Sequence, residues 1–186
     1  MITSTILQVE DDPNDVFLLQ HAMRKVGVTN PIQVASDGQQ AIDYLAGTGK
    51  FADRKTFPLP CLVLMDLKLP YVMGLDVLKW IRQQPGPARV VLIMSASAQE
   101  GDIGTAYRLG ANGFLVKTSQ AGKLEDMARA IKDFWLAHNT PSPEILSEAV
   151  EGLIDLRSPR SVPVAAGRTK LAEPRLALVH HHPDGL

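Results

Sequence analysis

Four short, mostly apolar runs in this chain each end on a residue suited to chemistry. Leu62-Val63-Leu64-Met65 ends in Asp66, and Ile6-Leu7-Gln8-Val9 ends in Glu10-Asp11-Asp12. Gly113-Phe114-Leu115-Val116 ends in Lys117, and Val90-Val91-Leu92-Ile93-Met94 ends in Ser95. Near-continuous apolar runs without polar alternation fit strands buried on both faces, as in a parallel sheet. In open α/β sheets, ligands bind in the crevice outside the carboxyl ends of the strands. Such a fold would deliver acids, a hydroxyl and an ammonium group to one rim, a coincidence that packing alone does not explain.

Helical patterns separate these runs. Strands are expected at about 5–9, 32–35, 61–65, 90–94 and 114–116. The first helix starts at Pro13, a favoured first helical residue, with Asp12 as N-cap and Asp15 as an acid in the first turn. Val16, Leu19, Met23 and Val26 form its apolar face, and Gly27 stops it. Asp37-Gly38 turns into a second helix at 39–46 on Ala41, Ile42 and Leu45. Residues 47–60, with Gly47, Gly49, Pro58 and Pro60, read as a loop longer than the usual connection. Leu75, Leu78 and Ile81 give a helix at 75–83, stopped before Pro85-Gly86-Pro87. A fourth helix spans 100–109, ended by Gly110, and a fifth spans 121–138 on Leu124, Met127, Ala128, Ile131 and Trp135. Strands alternating with helices imply an α/β fold: a parallel sheet covered on both faces with right-handed crossovers.

This pattern accounts for residues 1–140. The extension 141–186 is broken by Pro141, Pro143, Pro159, Pro163, Pro174 and Pro183. One short helix is expected at 144–156 on Ile145, Leu146, Ala149, Leu153 and Ile154, followed by a poorly ordered tail. The run His180-His181-His182 reads as incidental rather than as a metal site. A formal net charge of -1 implies no general attraction to nucleic acid or anionic membrane. No apolar run reaches membrane-spanning length, and the first residues lack the basic start of a signal peptide. The single cysteine, Cys61, suits the cytoplasm and reads as a small buried hydrophobe.

If Glu10, Asp11 and Asp66 converge, their mutual repulsion needs a remedy. Two unit charges about 4 Å apart repel by about 4 kcal/mol at an effective dielectric near 20. Hard carboxylates without His or Cys nearby favour Mg²⁺ or Mn²⁺ over Zn²⁺, with room left for phosphate oxygens. Lys117 and Ser95 then offer a point charge and a hydroxyl to a phosphoryl group, and a carboxylate can itself be the nucleophile. Taken singly, each residue has a plainer reading: the acids as caps of the first helix, Asp66 as a loop residue, Lys117 as a solvated strand end. Their joint placement at strand ends is what favours chemistry.

The segments Val9-Glu10-Asp11-Asp12-Pro13, Leu64-Met65-Asp66-Leu67-Lys68-Leu69-Pro70, Ile93-Met94-Ser95-Ala96 and Gly110-Ala111-Asn112-Gly113-Phe114-Leu115-Val116-Lys117 resemble the receiver domain of bacterial response regulators. The likeness covers about residues 4–138. A closer resemblance is to single-domain regulators of the cyanobacterial phytochrome type, through Pro13-Asn14-Asp15, the loop around Gly49-Lys50-Phe51, and Phe134-Trp135-Leu136. The resemblance implies a flavodoxin-like (βα)5 sheet in the order 2-1-3-4-5. It implies that Asp66 accepts a phosphoryl group from a phosphohistidine on a sensor histidine kinase. Mg²⁺ (or Mn²⁺) would be held by Asp11, Asp66 and the backbone carbonyl of Lys68, with Glu10 acting through water. Lys117 would grip a phosphoryl oxygen, Ser95 would swing toward another, and Phe114 would follow as an aromatic switch. Phe114 also reads as an ordinary core aromatic. The resemblance also implies that Lys68 and Ser97 border the path of attacking water, where they are expected to set the lifetime of the phosphorylated state. Phe134 and Trp135 would form a homodimer seam, although plain packing on the sheet also accounts for Trp135.

The chain departs from the family pattern in three places. Thr118 replaces the usual proline after Lys117, Met73-Gly74 replaces the common Asp-Gly, and Ser95 replaces the commoner Thr. The expectation is a cytoplasmic response regulator whose output is a change of partner or oligomeric state, without a nucleic-acid-binding or enzymatic output domain. The alternatives are a phosphorylation-independent docking module and an aspartyl-phosphate metal-dependent phosphatase. The second is disfavoured because Lys68 stands where such a phosphatase commonly carries its general acid.

Overall fold

The computed structural model describes residues 4–86 and 89–140. The expected helix at 144–156, the tail and the histidine run lie outside these residues. The apolar runs become β1 (Ile6–Val9), β3 (Leu62–Met65), β4 (Val90–Ser95) and β5 (Gly113–Val116), joined by β2 (Ile32–Ala35). All pair in parallel in the order β2-β1-β3-β4-β5. The flavodoxin-like topology implied by the resemblance is therefore the one observed. The helices are α1 (Pro13–Lys25), α2 (Gly38–Ala46), α3 (Gly74–Gln83), α4 (Glu100–Arg108) and α5 (Ala121–Ala130).

Strand residues alternate between two cores because successive side chains point to opposite faces. Leu7, Val9, Val63, Met65, Val91 and Ile93 pack with Ala41, Leu45, Leu78, Ile81 and Ala106 of α2, α3 and α4. Ile6, Leu62, Leu64, Leu92 and Met94 pack with Leu19 and Met23 of α1 and with Leu124 and Ala128 of α5. Cys61 is half-buried beside this second core, and burial pushes its thiol up to about 11, as befits an inert position.

The helix starts follow their sequence signals. The Asp12 side chain accepts from the Asn14 N–H with Pro13 in the first turn, and Asp37 accepts from the Gln40 N–H. Two regions differ from expectation in detail. The fifth helix covers its expected span but winds as a π-helix over Ile131–His138. The long loop holds a 3₁₀ turn, Gly49–Phe51, and a small core of its own. Phe51 is buried there, with its ring 5.3 Å from Tyr44 and 5.1 Å from Phe57. The Tyr44 hydroxyl donates to the Pro58 carbonyl at 2.8 Å, and the Arg54 guanidinium donates to the carbonyls of Tyr44 and Leu45. Aromatic burial offsets the entropy of ordering so long a connection.

Candidate functional site

The parallel ladder continues past the strand ends and fixes where the first loop residues stand. Glu10 N–H donates to Ala35 carbonyl at 2.9 Å, Asp66 N–H to Val9 carbonyl at 3.0 Å, and Lys117 N–H to Ser95 carbonyl at 2.8 Å. Backbone pairing between neighbours thus lines up the acids, the hydroxyl and the amine along one rim. Ser95 is the last residue of β4 and is buried.

The Lys117 ammonium sits at the centre. It donates to Glu10 Oε2 and Asp66 Oδ2, each at 2.6 Å, and to Asp15 Oδ2 at 2.9 Å. A lysine ammonium has three N–H donors, so all are engaged. Burial works against the charge on Lys117, but its hydrogen bonds to Asp66, Glu10 and Asp15 outweigh that and hold its pKa above the ordinary range. Glu10 shows the opposite balance. Burial raises its pKa above the usual 4.5, and the Lys117 hydrogen bond and charge only partly offset this.

Glu10, Asp11 and Asp66 offer carboxylate oxygens within 4.8 Å of one another, two of them buried and Asp11 exposed. An all-oxygen donor set open on one side fits a hard divalent cation with room for further oxygen ligands. The Lys68 side chain is exposed, while its N–H donates to Asp66 Oδ1 at 3.2 Å.

On the adjoining strand the Ser95 hydroxyl accepts from the Ser97 N–H at 3.1 Å. The Ser97 hydroxyl donates to Asp102 Oδ2 at 2.6 Å and accepts from the Gln99 N–H at 3.3 Å, which ties this loop to the first turn of α4. Phe114 is half-buried against the core of α2, α3 and α4. Phe134 and Trp135 lie away from the rim with their rings edge to face at 4.8 Å. Phe134 is 56% exposed, whereas Trp135 is half-buried on the α1/α5 core.

Sequence reasoning missed three features. Asp15 reaches Lys117, although it reads as a simple first-turn acid. The available signal was direction: side chains of a helix lean toward its N-terminus, and α1 begins directly after Glu10-Asp11-Asp12. Asp102 anchors Ser97. Gly74 lies so close to the backbone of Asp66 that a Cβ there would stand 2.0 Å from the Asp66 carbonyl oxygen. Met73 before it makes no side-chain cap, in keeping with its replacement of a polar residue.

Residues 6–129 match the family of the response regulator receiver domain. Response regulator Rcp1 of Synechocystis is 33% identical over 132 residues, covering 70% of this chain and 88% of that protein. The solved structure of the phosphorylated cyanobacterial phytochrome response regulator RcpA superposes with a TM-score of 0.68 at 31% identity, covering 75% of this chain and 98% of that one. The Mn²⁺-bound form of Rcp1 gives a TM-score of 0.66 at 31% identity, covering 74% and 98%. Among the described residues no helix is long and apolar enough to cross a membrane.

Proposed function

The chain belongs to the response regulator receiver family of two-component signalling, and from that premise we propose that Asp66 is its phosphoacceptor. The observation that carries this reading is the single ammonium of Lys117 held 2.6 Å from both Asp66 and Glu10. A partner's phosphohistidine is the donor. An Asp66 carboxylate oxygen attacks phosphorus, the new P–O bond forms as the P–N bond breaks, and the electron pair leaves with the imidazole. Lys117 meets the charge that gathers on the phosphoryl oxygens, and Ser95 donates to another of them after leaving Ser97. Asp11, Asp66, the Lys68 carbonyl and, through water, Glu10 would hold Mg²⁺ or Mn²⁺. When bound, the ion neutralises phosphoryl charge.

The wider reading follows the same resemblance. Residues 1–140 form the receiver and 141–186 an extension, in a cytoplasmic protein that neither binds nucleic acid nor works as a turnover enzyme. The likeness to RcpA supports a phytochrome-type sensor histidine kinase as partner. Phe134, exposed beside Trp135, supports a homodimer seam, and Phe134→Ala should abolish the dimer in sedimentation. Phe114 follows Ser95 as the switch aromatic.

The test is incubation with Mg²⁺ and acetyl phosphate, read by intact mass for wild type and Asp66→Asn. A gain of one phosphoryl group, lost in the variant, supports the reading. No gain under conditions that label a control receiver overturns it in favour of a docking module.

A further inference from the structure

We propose that Asp15 is a positioning residue that holds Lys117 until a phosphoryl oxygen replaces it, an inference that rests on phosphorylation of Asp66. Lys117 has no free donor: Glu10, Asp66 and Asp15 take all of its N–H groups. It can grip a phosphoryl oxygen only by releasing one of them.

The three partners are not equally held. The side chains of Glu10 and Asp66 are 5% and 11% exposed and lie at 2.6 Å, whereas that of Asp15 is 40% exposed and lies at 2.9 Å. Returning a half-exposed carboxylate to water costs far less than stranding a buried one. Asp15 is therefore the ligand that leaves. Space is available for it, because a cavity of about 240 Å³ lies beside Lys117, lined in part by Gln8, Asp15, Leu18 and Thr118. Thr118, where the family usually has proline, lies at its wall.

With acetyl phosphate as donor, an Asp66 oxygen bonds to phosphorus, the P–O bond to acetate breaks, and acetate departs with the electron pair. No proton is transferred. The product is an acyl phosphate whose oxygens compete with Asp15 for one N–H of Lys117. Asp15 also keeps its negative charge beside the incoming anion. It thus opposes loading on two counts, and removing its charge should ease loading.

The experiment is the rate of phosphorylation against acetyl phosphate concentration at saturating Mg²⁺, for wild type, Asp15→Asn and Asp15→Glu, at low and high salt. The half-saturating concentration should fall about five-fold in Asp15→Asn, the scale of one exposed ion pair. Asp15→Glu should behave as wild type, and the difference should shrink in high salt as screening replaces the lost charge. A labelled wild type with an unchanged or poorer Asp15→Asn, or an effect that salt does not alter, overturns this inference alone. A wild type that takes no phosphoryl group overturns both this inference and the reading beneath it.

Discussion

The loop after Asp66 and the loop after Ser95 leave the same rim from neighbouring strands, yet they are held by opposite means. Residues 67–73 are pressed between glycines. A Cβ on Gly74 would stand 2.0 Å from the Asp66 carbonyl oxygen, and one on Gly38 would stand 1.9 Å from that of Val72. Leu67 and Leu69 are buried, and the Gly74 N–H donates back to the Leu67 carbonyl at 2.9 Å. Residues 96–99 are exposed or half-exposed and are held by the hydroxyls of Ser95 and Ser97 with Asp102. Backbone clamps permit one arrangement, whereas side-chain hydrogen bonds exchange partners easily. The contrast suits the proposed roles, in which Asp66 receives a phosphoryl and stands still while Ser95 reports it and moves.

The largest test of this contrast is Gly74→Ala. Its Cβ would strike backbone, so the expected loss is about 3 kcal/mol in a denaturant titration, the upper range for overpacking. Gly38→Ala should behave alike, and a near-neutral effect of both would mean that the loop is not clamped. Lys117→Ala comes next. It leaves the acceptor oxygens of Glu10 and Asp66 without their shared donor, which should cost about 2–3 kcal/mol by the same titration without metal. Added Mg²⁺ should recover part of that loss through binding to the folded state.

Glu10 makes the site's unease visible in pH. Its pKa is raised by burial. Its contribution to stability is therefore fully present below the ordinary 4.5 and is lost as pH rises through the raised value. Metal-free melting temperatures should fall across that window in wild type relative to Glu10→Gln. An equal fall in the two would separate Glu10 from the strain.

In the loop held by side chains, Ser97→Ala and Asp102→Asn should each change stability by less than about 1 kcal/mol, as befits exchangeable hydrogen bonds. Both should nonetheless change the dephosphorylation half-life, as should Lys68→Ala. Unchanged half-lives throughout would remove these residues from the lifetime. The smallest effect belongs to Tyr71, a non-glycine residue with φ of 63° and 91% exposure within the clamped loop. Tyr71→Gly should relieve that left-handed strain and change stability by no more than about 1 kcal/mol in thermal melts, since glycine's greater unfolded-state freedom opposes the gain.

What the sequence disclosed follows from the range of each interaction. Strand runs, caps and the polar residues at strand ends are local, and α1 begins at Pro13 as its cap foretold. The sheet brings the strand-end residues together, so Glu10, Asp11 and Asp66 could be grouped from their positions on strands. Asp15 could not, because it stands on a helix rather than at a strand end, and its contact with Lys117 depends on how far one helical side chain leans over the rim. The glycine clamps were hidden because a close approach of two backbones leaves no pattern of hydrophobicity. Asn112 was hidden for a similar reason. Its side chain accepts from the Val91 N–H at 2.9 Å, doing the work of a backbone group at the start of β5.

The sheet also separates two audiences. Lys117 and Asp15 tie the rim to α1, whose apolar face packs on one side, while Ser95, Ser97 and Asp102 tie it to α4 on the other. News of one chemical event at the shared edge can therefore travel along two routes. A listener on the α1 side need not block a listener on the α4 side. A substitution can deafen one of them while the other still hears.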